Sequence, residues 1–184
     1  MSIFSTVETE RLVLRPLTPQ DVDFIYRHFS DEDVCRYLFD AEPLTSIDGA
    51  QAIIDFYVNS ENHDRNRWCI INKESNKTIG TCGYHRWDKT NNIAELGYDM
   101  ERGSWGHGYM QEALNAAFKA GFCTTNLNRI EAFTSVENER SIKILKRLGF
   151  TKEGIVRSKH YFRGEYYDHY CFSLLRREWT GNCV

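Results

Sequence analysis

Met100-Glu-Arg-Gly-Ser-Trp-Gly-His-Gly-Tyr-Met110, running straight into Gln111-Glu-Ala-Leu-Asn-Ala-Ala-Phe118, decides how this chain is read. The run from Ile93 to Met100 has the character of a strand. It feeds a loop that holds Gly103, Gly106 and Gly108. The loop opens into an amphipathic helix, because Met110, Ala113, Leu114, Ala117 and Phe118 recur at i, i+3, i+4, i+7 and i+8. Glycines at a helix start let backbone N–H groups approach a ligand closely. The unpaired donors of the first turn and the positive end of the helix dipole then favour an anion, typically a phosphate. A P-loop is excluded, since no Gly-Lys-Ser/Thr follows. A dinucleotide fingerprint also fails: the spacing is G-x-x-G-x-G, and the chain does not begin with a βαβ unit.

Working outward, Arg67-Trp-Cys-Ile-Ile71 and Thr78-Ile-Gly-Thr-Cys-Gly-Tyr84 read as a hairpin across the polar turn 72–77. Arg11-Leu-Val-Leu-Arg-Pro-Leu17 alternates as a first strand, with Leu12, Leu14 and Pro16 on one face. Thr18-Pro-Gln-Asp21 is a helix start with Thr18 as cap, proline at the first position and an acid three residues on. Its helix carries Val22, Ile25, Tyr26 and Phe29 on one stripe. A short helix is expected over 31–38, and a third begins at 45–48 with Ala50, Ile53, Ile54 and Tyr57 on one face. Downstream of the glycine loop, Arg129–Ser135 is a strand. Asn138 caps a helix bearing Ile142, Leu145 and Leu148, which Gly149 ends. Strands near 151–161 and 166–175 close the chain. The order β-ααα-βββ-α-β-α-ββ predicts an α+β (mixed α/β) domain over residues 1–184, with a mostly antiparallel sheet flanked by helices.

At 184 residues the chain is long enough for one well-filled core. Hydrophobic residues at 41 % and charged residues at 27 % are those of a soluble globular protein. No apolar run reaches the roughly 18 residues that cross a membrane, and the N-terminus Met1-Ser-Ile-Phe lacks the pattern of a secretory signal. The net charge of −3 argues against a nucleic-acid binder. The six cysteines form no C-x-x-C pair and no metal-like cluster. Four of them lie in apolar or strand-like surroundings, where buried free thiols are expected. The cytoplasm follows as the default compartment.

Trp105-Gly-His-Gly-Tyr-Met-Gln-Glu-Ala-Leu114 resembles the W-G-x-G-Y-x-x-E-A-L form of the ribosomal-protein N-terminal (alanine/serine) acetyltransferase branch of the GNAT acyl-CoA N-acyltransferases. Four further pieces are similar to that branch: Thr9-Glu-Arg-Leu-Val-Leu-Arg-Pro-Leu17; Ala94-Glu-Leu-Gly-Tyr98; Asn138-Glu-Arg-Ser141 with Leu148-Gly-Phe-Thr-Lys-Glu-Gly154; and Gly164-Glu-Tyr-Tyr-Asp168. The resemblance spans nearly the whole chain. One departure is Gly103, where the general family often carries Arg or Gln.

The resemblance implies acetyl-CoA as co-substrate and no metal. It places the pyrophosphate on the N–H groups from Trp105 through Gly106, His107 and Gly108 to Tyr109, with Gly103, Ser104 and Asn138 also on the cofactor side. The pantetheine arm would add to the sheet beside Tyr98, Asp99 and Met100, in a slot opened by splaying from the strand Arg129–Ser135. Oxyanion donors would be N–H groups of Tyr98–Met100, freed by a bulge.

An amine that attacks a thioester must lose a proton, and the leaving thiolate gains from an acid. Ser141 is the branch's acid position; Leu145 stands where many family members carry a tyrosine. For the base, Glu95 matches the carboxylate of the Ala-Glu-Leu-Gly-Tyr strand, with Glu153, His160 and Asp168 as the other choices. His107 is expected only to shape the phosphate site. The family's acceptor mouth would be lined here by Tyr37, Phe39, Phe56, Tyr57, Tyr84, Trp87, Tyr161 and Tyr166, with Asp31, Glu32, Asp33 and Asp40 suited to an ammonium group. The acceptor is a protein N-terminal amine or, alternatively, a small amine such as an amino acid, polyamine or antibiotic. A non-catalytic acyl-CoA-binding module is the reading from another class. Neither nucleic acid nor membrane is expected as a partner, and the protein is read as a monomer or homodimer.

Overall fold

The computed structural model describes residues 4–59 and 64–183. The first three residues of the N-terminal stretch in which no secretory signal is read lie outside them. One eight-stranded sheet organises the molecule, in the order β1-β2-β3-β4-β5-β6-β8-β7. Its strands are β1 (Val7–Glu8), β2 (Leu12–Pro16), β3 (Trp68–Asn72), β4 (Lys77–Asp88), β5 (Ile93–Met100), β6 (Arg129–Ser135), β7 (Thr151–Phe162) and β8 (Glu165–Leu175). Every neighbouring pair is antiparallel except β5·β6, which is parallel. That pair is joined through the helix at Tyr109–Lys119, since parallel neighbours cannot be linked by a tight turn.

The helices cover both faces. On one lie α1 (Val22–Phe29), α2 (Glu32–Cys35) and α3 (Ile47–Val58). On the other lie α4 (Tyr109–Lys119) and α5 (Glu139–Arg147). The α4 stripe behaves as its spacing predicts: Ala113, Leu114, Ala117 and Phe118 are fully buried against Leu12, Leu14, Tyr84 and Leu96. Ile25, Ala50 and Ile54 form a smaller core on the opposite face with Leu17 and Cys69. A capping box opens the 3₁₀ turn Pro19–Asp21 that leads into α1, with Asp21 accepting from the Thr18 N–H at 2.8 Å. Leu145 carries α5 into the main core, and the helix ends with Phe150 N–H donating to the Leu145 carbonyl at 3.0 Å.

Three features depart from expectation. The two-residue strand β1 is too short to leave a periodic signal. The helix expected over 31–38 closes at Cys35. Cys123 and Cys183 form a disulfide across 60 residues, while Cys69 and Cys82 are buried free thiols and Cys35 and Cys171 are half-buried ones. The bridge forms because the C-terminal tail folds back, with Trp179 packing on Phe122 at 5.3 Å. No described helix is long and apolar enough to cross a membrane.

Candidate active site

After β5 the chain makes a 3₁₀ turn at Arg102–Ser104. The Ser104 N–H donates to the Glu101 carbonyl at 3.0 Å, and the Trp105 N–H to the Arg102 carbonyl at 3.2 Å. The Ser104 hydroxyl donates to Glu101 Oε1 at 3.0 Å, and the Trp105 indole N–H to the Met100 carbonyl at 2.8 Å. The N–H groups of Gly106, His107 and Gly108 find no acceptor among the described residues. Gly106 and Gly108 adopt φ of +82° and +77°, a region that favours glycine. Gly108 is the N-cap of α4, and no side chain caps that end. The anion-ready donors therefore run from Gly106 to Tyr109. The expectation that they begin at Trp105 is corrected, because the turn already engages its N–H. Ser104, with amide and hydroxyl both engaged, supports the loop, and Gly103 lies within the turn.

The loop is held by residues from two other motifs. Glu112 accepts from the Thr9 hydroxyl at 2.6 Å, the Arg11 N–H at 2.8 Å and Arg11 Nε at 2.7 Å. Arg11 Nη1 donates to the His107 carbonyl at 3.0 Å, and its guanidinium lies 4.7 Å from the Tyr109 ring centre. The Arg140 guanidinium stacks 3.9 Å above Trp105. Thr-Glu-Arg near the N-terminus, Asn-Glu-Arg-Ser and the glycine loop are thus parts of one support. Their recurrence together was the sequence signal; their contacts were not readable from it.

Strands β5 and β6 pair only at Ile93–Glu95 with Arg129–Glu131. Beyond that point β5 stays paired to β4 as far as Met100, and β6 to β8 as far as Ser135. One edge of β5 from Leu96 to Met100 is therefore left without a strand partner. The β4·β5 register is continuous from Gly80↔Met100 to His85↔Glu95, and the irregularity falls beyond His85. The expected bulge at Tyr98–Met100 is absent; splaying from β6 does what the bulge was invoked to do. Helix α5 begins just after β6. Asn138 caps it, its Oδ1 accepting from the Ser141 N–H at 3.2 Å. Ser141 Oγ lies 2.7 Å from Tyr98 Oη. Burial pushes the Tyr98 hydroxyl pKa up, so it remains protonated.

Strand alternation divides β5. Ala94, Leu96, Tyr98 and Met100 pack towards α4 and α5, whereas Glu95, Gly97 and Asp99 face α1–α3. The Asp99 side chain does not reach the slot. It is buried, 2.6 Å from His28 Nε2 and 2.7 Å from Thr81 Oγ1, and it is ion-paired with Arg67. Burial alone would raise its carboxyl pKa; Arg67 and His28 outweigh this and bring it down to about 2. Asp99 is thus an anchor through its side chain, leaving only its main chain for a cofactor. Asp99→Asn should destabilise the fold by about 3–5 kcal/mol, because Arg67 would be left buried without its counter-charge. The wild-type contribution holds above the ordinary carboxylate value and is lost as pH falls towards 2, so the gap between variant and wild type in denaturant titrations should narrow in acid.

Glu95 is ion-paired with Arg86 at 3.0 Å. His160, on β7, is half-buried and 4.8 Å ring to ring from His169. Burial, ahead of Lys159, pulls its pKa down, with Asp40 and Glu95 opposing. Asp168 accepts from the Ser158 N–H at 2.7 Å and holds a kink in β7. Glu153 is tied to Arg129 at 2.9 Å. Phe39 stacks on Tyr167 at 4.0 Å, and Glu42 is ion-paired with Arg163, closing the helical side against the β7–β8 hairpin. Two of the expected mouth aromatics are elsewhere: Tyr84 is fully buried, its hydroxyl on the Ala117 carbonyl at 2.8 Å, and Trp87 packs on Phe4. Asp31 caps α2, and Asp33 pairs with Arg36 and Arg102, so neither is available for an ammonium group.

The family model described as Acetyltransferase (GNAT) domain matches residues 11–151. The N-acetyltransferase p20 of Bacillus licheniformis, whose function is uncharacterised, is 41 % identical over 177 residues, covering 96 % of this chain and 99 % of that one. The ribosomal-protein-S5-alanine acetyltransferase of Vibrio fischeri superposes with a TM-score of 0.79 at 26 % identity, covering 97 % of this chain and all of that one. The spermidine N-acetyltransferase of Vibrio cholerae, solved with CoA and spermine, has the same fold, with a TM-score of 0.83 at 21 % identity over 94 % of this chain and all of that one. With the splayed strands, the uncapped helix and this family match together, the chain belongs to the GNAT acetyltransferases and is an N-acetyltransferase.

Proposed function

We propose that this enzyme acetylates a protein N-terminal α-amine, with acetyl-CoA and the amine meeting across β5. The observation that carries the reading is the division of β5: the Tyr98–Ser141 hydroxyl pair lies on one side, and Glu95 stands on the other, at the last paired position before the splay. The donors from Gly106 to Tyr109 would hold the pyrophosphate, and the free edge of β5 the pantetheine. Bound acetyl-CoA supplies the activated acetyl group. Ser141 Oγ holds a proton for the sulfur, oriented by Tyr98 and by its place in the first turn of α5. Glu95, through water, takes the proton of the amine, with His160 as the nearby alternative. A protein terminus is favoured over a polyamine because Asp31 and Asp33 are already engaged.

The reading is tested by kcat/KM for peptides that begin with Ala or Ser against spermidine, with products identified by mass spectrometry. Peptides should be better by at least about tenfold, which is about 1.4 kcal/mol in the barrier. Preference for spermidine would contradict the acceptor assignment. CoA binding with no turnover on any amine would support a non-catalytic module instead.

A further inference from the structure

His85, on β4, was not among the residues singled out by sequence. It stands opposite Glu95 in the β4·β5 register, and its ring lies against Gly97, where any Cβ would collide with Nε2. Gly97 is the second residue of β5 beyond its pairing with β6. His85 as a residue is half-buried, and it lies on the α1–α3 face, the face assigned above to the acceptor.

A polar chain leads to the ring. Arg67 is ion-paired with Asp99, and its Nη1 donates to Tyr57 Oη at 3.1 Å. Tyr57 Oη, which accepts that bond, lies 3.2 Å from His85 Nδ1 and has its own proton to offer there. With Tyr57 donating to Nδ1, the neutral ring carries its hydrogen on Nε2, the atom against Gly97. Burial, together with the charges of Arg67, Arg86 and Arg65, keeps the ring neutral, with its pKa brought down to about 3.

We propose that His85 Nε2–H is the donor that selects acceptors carrying a carbonyl oxygen beside the attacking amine. This inference rests on the acetyl-transfer reading above. A peptide terminus or an amino-acid amide presents such an oxygen three bonds from its nitrogen. A polyamine presents methylenes and then a second ammonium, with no oxygen for that donor. A site that offers a fixed donor penalises an analogue that cannot use it. His85 is thus a specificity-determining residue, and Tyr57 a positioning residue that acts through it.

The test compares L-alaninamide with isopropylamine, which lacks the carboxamide. Wild-type enzyme should prefer L-alaninamide in kcat/KM. His85→Phe should reduce that preference by about ten- to a hundredfold, with isopropylamine little changed. His85→Gln, which returns an N–H near the position of Nε2, should restore most of it. Independently of turnover, side-chain ¹⁵N NMR should show the Nε2–H tautomer and a shift on addition of L-alaninamide, but not of isopropylamine, to the CoA-saturated enzyme. A preference unchanged in His85→Phe, or an Nδ1–H tautomer, overturns the proposal while leaving the acetyl-transfer reading intact. If wild-type enzyme itself ignores the carboxamide and favours spermidine, the proposal and the protein-terminus acceptor assignment both fall, while acetyl transfer stands. Should His85→Phe not fold, Tyr57→Phe should still lower the preference about fivefold, the worth of about one neutral hydrogen bond; no change there overturns it equally.

Discussion

Gly106→Val and Gly108→Val should each abolish the thermal stabilisation that acetyl-CoA confers. At a ligand concentration of ~100 times Kd, the wild-type enzyme should gain about 2.7 kcal/mol. Both glycines have positive φ, and neither is crowded: a Cβ at Gly106 would meet nothing within 4 Å, and one at Gly108 only Arg11 Nη2 at 3.5 Å. Space in the free protein is therefore not the reason for glycine. A branched side chain would strain the backbone by about 1–3 kcal/mol and would stand where an anion must approach the unpaired amides. Gly103→Ala is the control. Its Cβ would also meet nothing within 4 Å, and its φ is not in the left-handed region, so binding should survive. Equal affinity in all three variants would mean that the loop only packs α4 against the sheet.

Ser141→Ala should lower kcat for acetyl transfer by about 10²-fold, the lower end for general-acid help, while leaving acetyl-CoA affinity close to wild type. Tyr98→Phe should produce part of the same loss, because it removes the partner 2.7 Å from Ser141 Oγ. The double variant should be scarcely worse than Ser141→Ala alone, since groups that act as a unit are not additive. Wild-type kcat in Ser141→Ala removes the serine from the chemistry. Strict additivity would show that Tyr98 and Ser141 act separately.

What was legible in the sequence follows the range of the interactions. Strands β5 and β6 matched expectation residue for residue, because polar turns bound them on both sides. The α4 stripe and the Thr18 and Asn138 caps are likewise local signals, written within one or two turns of chain. The site is built from contacts that no local pattern records. Tyr98 meets Ser141 across 43 residues, and His28 meets Asp99 across 71. Glu112 joins Thr9 and Arg11 across a hundred residues or more. Asp99 shows the consequence. Its position on β5 suggested a cofactor neighbour, but strand alternation turns its carboxylate to the opposite face, where Arg67 and His28 hold it. Asp31 and Asp33 misled in the same way: acids near an expected mouth suggested a cation site, yet one caps a helix and the other pairs with two arginines. The slot and the splay that opens it were anticipated from the family resemblance, whereas the point at which the strands part, after three paired residues and with no bulge, is visible only in the register.

A crystal structure of the enzyme with CoA tests the central claim most directly. The account predicts the pyrophosphate on the N–H groups of Gly106 to Tyr109, the pantetheine along the free edge of β5 between Leu96 and Met100, and the sulfur within hydrogen-bonding distance of Ser141 Oγ. A CoA bound away from the glycine loop, or a gap between β5 and β6 that stays closed over Tyr98 while CoA is bound elsewhere, would contradict it.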